Sequence, residues 1–112
     1  MHATCHCAAI SITAPQPTNT INECQCGVCF RYGAVWAYYP LDQVAITKQE
    51  GLSTRIYQCN EKSIEFHFCE RCNGLMYWWP VDEKGAPKMG LNTKMVVDRK
   101  ELMGIEVEKE FA

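Results

Sequence analysis

The sequence has no apolar run of membrane-spanning length and no stretch where lysine and arginine gather. The first absence excludes a transmembrane helix, which needs about 20 consecutive apolar residues. The second argues against a surface that tracks nucleic-acid phosphates or anionic lipid, since such surfaces are built from clustered positive charge. The balance points the same way: 11 basic residues face 13 acidic ones, for a net charge of −2. The first residues, "MHATCHCAAISITA", lack the basic start and continuous apolar core of a secretory signal. A cytosolic or nuclear location is therefore expected, not a secreted one, and no membrane or nucleic-acid partner. In a reducing compartment clustered cysteines more often hold metal than disulfides. No internal repeat or low-complexity tract is present. No segment of ordinary helix length carries a 3.6-residue period, so a helical bundle is also excluded.

What remains is a chain of 112 residues, 47% hydrophobic and 21% charged. That is one domain, 1–112, able to bury roughly two thirds of its unfolded surface. Its signals are those of short strands separated by glycine and proline turns, a mainly β class. "CHCAAISIT" (5–13) reads as a strand with Ala8, Ile10 and Ile12 on one face and Cys5 and Cys7 on the other. "APQPTNTIN" (14–22) reads as a turn-rich connector, and one helical turn is expected over 27–32. "AVWAYY", "QVAITK", "TRIYQC", "SIEFHFC", "GLMYWW" and "MGLNTKMVV" read as strands. "QEGLS" and "NEK" are the turns on either side of "TRIYQC", "PVDEKGAPK" is a hairpin-like loop, "DRKEL" a short turn or helix, and "IEVEKEF" a last, exposed strand.

Cysteine is what the chain has in excess: eight, at 5, 7, 24, 26, 29, 59, 69 and 72. Seven fall into tight groups, C-x-C at 5/7, C-x-C-x-x-C at 24/26/29 and C-x-x-C at 69/72. Two such pairs converging make a tetrahedral four-thiolate zinc site. Gly74, just past Cys72, would help that turn. Two partitions are open. Four plus four closes two structural zincs, with Cys59 completing the loop site. Four plus three leaves one zinc with an open position, and makes Cys59 a small buried hydrophobe in a strand.

"CHC" near the start, "CQCGVCFRYG", "FCERCNG" and the trailing "MGLNTKMVVD" together resemble the glutathione-dependent formaldehyde-activating enzyme family, which also includes centromere protein V-like domains. The resemblance spans nearly the whole chain. It implies a small twisted β-sheet "tent" with short helical turns and two Zn2+ per chain. It implies a closed structural zinc at Cys5, Cys7, Cys69 and Cys72. It implies an open zinc at Cys24, Cys26 and Cys29 that faces a glutathione site. Three positions depart from the family's usual pattern. Gln25 stands where a histidine is common, Phe30 where a basic residue is common, and Ala3-Thr4 where a glycine usually precedes the first C-x-C.

An open three-thiolate zinc suits particular chemistry. Its formal charge is one minus, so it is a poor Lewis acid for hydrolysis. Its natural reaction is to take a fourth thiol, which coordination deprotonates. A thiol so held remains nucleophilic toward a small electrophile such as formaldehyde. The implied activity is carbon–sulfur lyase chemistry, forming or cleaving S-hydroxymethylglutathione-type adducts. Its partners are a small thiol, with glutathione as co-substrate, and a small electrophile, in a monomer or homodimer. Arg31 is a candidate to hold a substrate carboxylate. His6 is expected at the surface, His67 beside the metal ligands, and His2 in a disordered terminus. One or two of Trp36, Tyr38, Tyr77, Trp78 and Trp79 are expected in a pocket, the rest in the core. The competing readings are related zinc thiol chemistry on another small substrate, and a non-catalytic zinc-stabilised binding module.

Overall fold

Ten short strands, one short helix and a few 3-10 turns make up the fold, as described by a computed structural model for residues 1–17, 20–59 and 63–111. In chain order the strands are β1 (His2–Thr4), β2 (Ile10–Thr13), β3 (Thr20–Cys24), β4 (Trp36–Pro40), β5 (Ala45–Lys48), β6 (Thr54–Cys59), β7 (Ile64–Cys69), β8 (Leu75–Pro80), β9 (Lys88–Asn92) and β10 (Glu106–Glu110). The helix α1 (Gly27–Tyr32) follows β3. The expected mainly β class is what the structure has. The "NEK" turn and residues 18–19 of the connector lie outside the described residues.

The strands form two sheets. A three-stranded sheet has the order β1-β2-β5, and a seven-stranded sheet the order β10-β3-β4-β9-β8-β7-β6. Every pairing is antiparallel except β10 with β3, which run parallel at the edge of the larger sheet. All five residues of β10 are exposed, and three are glutamates, charge that suits an edge.

Period-two alternation divides the larger sheet into two faces. Ile21, Ala37, Tyr39, Met89 and Leu91 point to one face and share a core with Ala3, Ile10 and Ile12 of the smaller sheet. Trp36, Ile64, Phe66 and Leu75 point to the other and share a second core with Cys24, Cys29 and Ala34. Burying Trp36 or Phe66 fully contributes on the order of 2–3 kcal/mol each. The first face is covered by the second sheet. The other carries α1 and the three-cysteine group.

The structure corrects several local expectations. Segment 5–13 is not one strand: β1 ends at Thr4, β2 begins at Ile10, and residues 5–9 reverse the chain. Ala8 adopts φ 63° and its N–H reaches the Cys5 carbonyl at 2.9 Å. The connector gives way to β3 at Thr20, where Ile21 and Asn22 are already buried. The strand expected over 89–97 stops at Asn92, whose side chain accepts from the Lys94 N–H and turns the chain into a 3-10 turn. His2 belongs to β1, and its carbonyl accepts from the Val97 N–H. A register shift between His67 and Phe68 breaks the alternation of β7.

Candidate metal centres and the cavities beside them

The four-cysteine group is made of two chain reversals. The first carries Cys5 and Cys7. In an extended strand their Cα atoms would stand about 6.6 Å apart, whereas the turn brings their sulfurs to 3.6 Å. The second follows β7. The Asn73 N–H closes on the Cys69 carbonyl at 2.8 Å and Asn73 takes φ 65°. Asn73, not Gly74, supplies the left-handed residue. Gly74 has no left-handed φ, and a Cβ there would meet the Cys72 sulfur at an ordinary contact distance of 3.7 Å, so the turn does not depend on glycine. Cys7 and Cys69 sulfurs are 3.6 Å apart, and all four sulfurs lie within 4.8 Å of one another. A tetrahedron with sulfurs 2.3 Å from its centre has edges of about 3.8 Å. The group therefore fits a closed four-thiolate metal.

The three-cysteine group is built differently. Cys24 is the last residue of β3, Cys26 the N-cap of α1, and Cys29 lies in the helix's first turn. The Cys26 sulfur accepts the Cys29 N–H at 3.4 Å, the hydrogen bond that a capping serine would make. Residues i and i+3 share a helix face, so Cys26 and Cys29 converge, and the strand end brings in Cys24. Gly33, at φ 67°, ends the helix. These three sulfurs also lie within 4.8 Å of one another. Cys59 is outside the group. It ends β6, half-buried, and packs against the second core.

Clustered thiols titrate unequally. Burial works against the Cys72 thiolate, but the backbone N–H groups of Cys7 and Gly74 and the Cys69 and Cys7 thiols bring it down to about 6. Cys7 is pulled down by the Ala9 N–H, yet burial and the Cys5, Cys69 and Cys72 thiols raise it to about 11. In the other group burial again opposes ionisation of Cys26, and the Cys29 backbone N–H with the Cys29 and Cys24 thiols lowers it to about 7. Burial pushes Cys29 up to about 12. In each group one thiolate forms readily and suppresses another. A divalent cation removes that conflict, so both donor sets suit a metal.

The family model for the glutathione-dependent formaldehyde-activating enzyme matches residues 1–108. The chain belongs to that family. Among solved structures, a crystal structure of a Rhodobacter sphaeroides protein has a similar fold, with a TM-score of 0.73 at 21% identity, covering 96% of this chain and all of the other. No curated protein sequence matches the chain.

Two cavities open onto Cys24 and Cys29. One, of about 190 Å³, runs between Glu23, Gln25, Phe30 and Lys109. Both departures from the family's usual loop, Gln25 and Phe30, thus line the site. The other, of about 280 Å³, is walled by Trp36, Tyr38 and Trp78, with Ile64 and Glu110 at its edge. Trp36 is 1% exposed and its indole N–H has no hydrogen-bond partner. It shares a core with Cys29, and its indole partly offsets the upward push of burial on that thiol. Trp36 pairs with Asn22 on one side and Asn92 on the other. Asn92 donates to the Leu75 carbonyl at 2.9 Å, and Thr93 to the Val35 carbonyl at 2.7 Å. These buried bonds fix the entry to β4 and so the indole.

Trp78 is held by a missing side chain. A Cβ at Gly90 would fall inside its indole, 2.6 Å from Cε2. Sequence reasoning passed over Gly90, because nothing in "KMGLN" reveals a ring lying across the neighbouring strand. It also missed Asn22, a buried amide that donates to the Tyr38 hydroxyl at 2.6 Å and to Glu110 at 2.7 Å. Arg31 is exposed, and its guanidinium folds back onto the Gly27 carbonyl at 2.7 Å, holding its own helix. His6 is exposed, as expected. His67 stacks on Tyr77 with ring centroids 4.6 Å apart and shares a hydrogen bond with Thr54. Trp36, Tyr38 and Trp78 stand at the three-cysteine group, while Tyr77 and Trp79 line a separate surface cavity with His67.

Proposed function

We propose that the protein is a zinc-dependent carbon–sulfur lyase-like enzyme, which forms or cleaves S-hydroxymethyl adducts of a small thiol at Cys24, Cys26 and Cys29. The observation that carries this reading is a set of three convergent sulfurs, two of them, Cys24 and Cys29, lining an aromatic cavity, with Cys59 held elsewhere. Cys5, Cys7, Cys69 and Cys72 would hold a second, structural zinc. Family membership makes glutathione the first thiol to test and formaldehyde the first electrophile. Zinc bound by the three sulfurs would deprotonate a visiting thiol and keep its sulfur nucleophilic.

The chain's own residues have simpler tasks. Trp36, Tyr38 and Trp78 exclude water from the reacting sulfur. In adduct formation a sulfur lone pair makes the new S–C bond, the carbonyl π pair moves to oxygen, and that oxygen takes up the proton the thiol gave to water. Cleavage reverses each step. No protein nucleophile is needed, and Arg31, tied to its own helix, is free to hold a carboxylate only after breaking that bond.

Cobalt substitution and adduct exchange test this together. A small thiol should change the absorption of cobalt bound by the loop, and the protein should speed exchange between formaldehyde and its thiol adduct in NMR magnetisation transfer. If no small thiol perturbs the cobalt spectrum, the non-catalytic zinc module is the better reading.

A further inference from the structure

Among the described residues that line the aromatic cavity, the acidic or basic groups besides its two cysteines are Glu110 and the Tyr38 phenol, and the one cation against its wall is the Lys88 ammonium on the Tyr38 ring. Strand pairing sets Glu110 directly beside Cys24, and the Gln25 N–H holds its backbone carbonyl at 2.8 Å. Asn22 fixes one oxygen of the Glu110 carboxylate. Tyr38 and Trp78 present rings with centroids 6.0 Å apart. A carboxylate beside aromatic faces is the arrangement that binds organic cations. The same sheet face already does so once: the Lys88 ammonium sits over the Tyr38 ring, 4.7 Å from its centroid. A three-thiolate zinc adds a further negative charge.

We infer that this cavity receives an ammonium group, so that the thiol taken at Cys24, Cys26 and Cys29 is an amino-thiol with its cation a few bonds from sulfur. This rests on the thiol chemistry proposed above. The anionic group beside the metal would repel a thiol whose far end is a carboxylate. Trp78 supplies the ring face that Lys88 does not cover. Gly90 is the positioning residue, because only a glycine lets the indole lie flat there.

Three thiols with the same two-carbon spacer separate the charge preference: cysteamine, 2-mercaptoethanol and 3-mercaptopropionate. Their affinities for the cobalt-loaded protein should fall in that order, with roughly tenfold between the first two. Glu110→Gln retains an oxygen for Asn22 and should erase the advantage of cysteamine. Equal binding of cysteamine and 3-mercaptopropionate, or an unchanged ranking in Glu110→Gln, overturns the inference. Trp78→Leu, which removes the ring and leaves Glu110, should cost cysteamine more than 2-mercaptoethanol. Tetramethylammonium, which carries no thiol, distinguishes the two levels of the reading through tryptophan fluorescence. If it binds while no thiol perturbs cobalt, the thiol chemistry and the amino-thiol both fall. If thiols enter and tetramethylammonium leaves the fluorescence unchanged, the cation cavity alone falls.

Discussion

The four-cysteine group is gathered by two chain reversals, the three-cysteine group by a strand end and one turn of helix. In the first, two sulfur contacts are 3.6 Å, and Cys5 and Cys69 are 1% and 0% exposed inside the core shared by both sheets. In the second, the sulfurs sit on the face of the larger sheet that no other sheet covers, and two cavities reach them. The first group joins segments more than sixty residues apart, as the Cys7–Cys69 contact shows. The second lies within six consecutive positions. A metal in the first would close a long loop, and in the second would organise a short one. Topology therefore gives the two groups different work, quite apart from their ligand counts.

The sharpest way to break that comparison is to remove one ligand from each. Cys69→Ser takes a buried sulfur from the junction of both sheets. Structural zinc contributes on the order of 10 kcal/mol or more to a small domain, comparable with a whole domain's stability. The variant is expected to lose its cooperative thermal transition and near-ultraviolet circular dichroism, with both metals released. Survival of a cooperative transition would show that the four-cysteine group is not the fold's clasp.

Cys26→Ser makes the opposite case. Serine is a good N-cap, so the hydrogen bond to the Cys29 N–H is kept while a thiolate ligand is lost. One zinc per chain should disappear, and the fold should remain. The thermal midpoint should drop modestly, by about 4–8 °C for each kcal/mol of bound-metal stabilisation removed. Metal analysis and calorimetry on the same sample check it. Loss of both metals would erase the distinction between the groups.

Much of this is legible in the sequence. Cysteine spacing marks 5/7, 24/26/29 and 69/72 as three groups, while the joining of 5/7 with 69/72 and the separate three-cysteine set are what the family resemblance implies. The strands at 36–40, 54–59, 64–69 and 75–80 follow from alternation and from β-branched and aromatic residues. Three things were not legible. The hairpin at 5–9 depends on Ala8 in a left-handed conformation that alanine rarely takes, stabilised by bonds around the Cys5 sulfur. The pairing of β10 with β3 is a long-range choice that charged, exposed residues do not announce. The seat of Trp78 exists only where strands β8 and β9 meet, and glycine in a strand is an ambiguous signal by itself.

Gly90→Ala sharpens the comparison from the cavity side. The added methyl must displace the Trp78 indole, which costs roughly 1–3 kcal/mol in a packed setting. Both metals should stay, since neither cysteine group touches the change. Thiol entry at the loop should weaken while the four-cysteine group is untouched, and this split is the informative result. Equal loss of metal from both groups would mean that the indole supports the fold as a whole.

The smallest effect is expected at Cys59, and it decides the ligand count. Cys59 ends β6 and packs half-buried against the second core, outside both convergent sets of sulfurs. Serine there loses a small apolar contact and gains a hydroxyl near the sheet's edge. Stability should fall by less than about 1 kcal/mol, with the metal count unchanged and one fewer titratable thiol after metal removal. Cys59 nevertheless belongs to the same core as Cys24 and Cys29. If Cys59→Ser released one metal, the strand would have to bring its sulfur to the loop, closing the fourth position. The three-cysteine group would then be a second clasp, and its cavities would have no coordination site to serve.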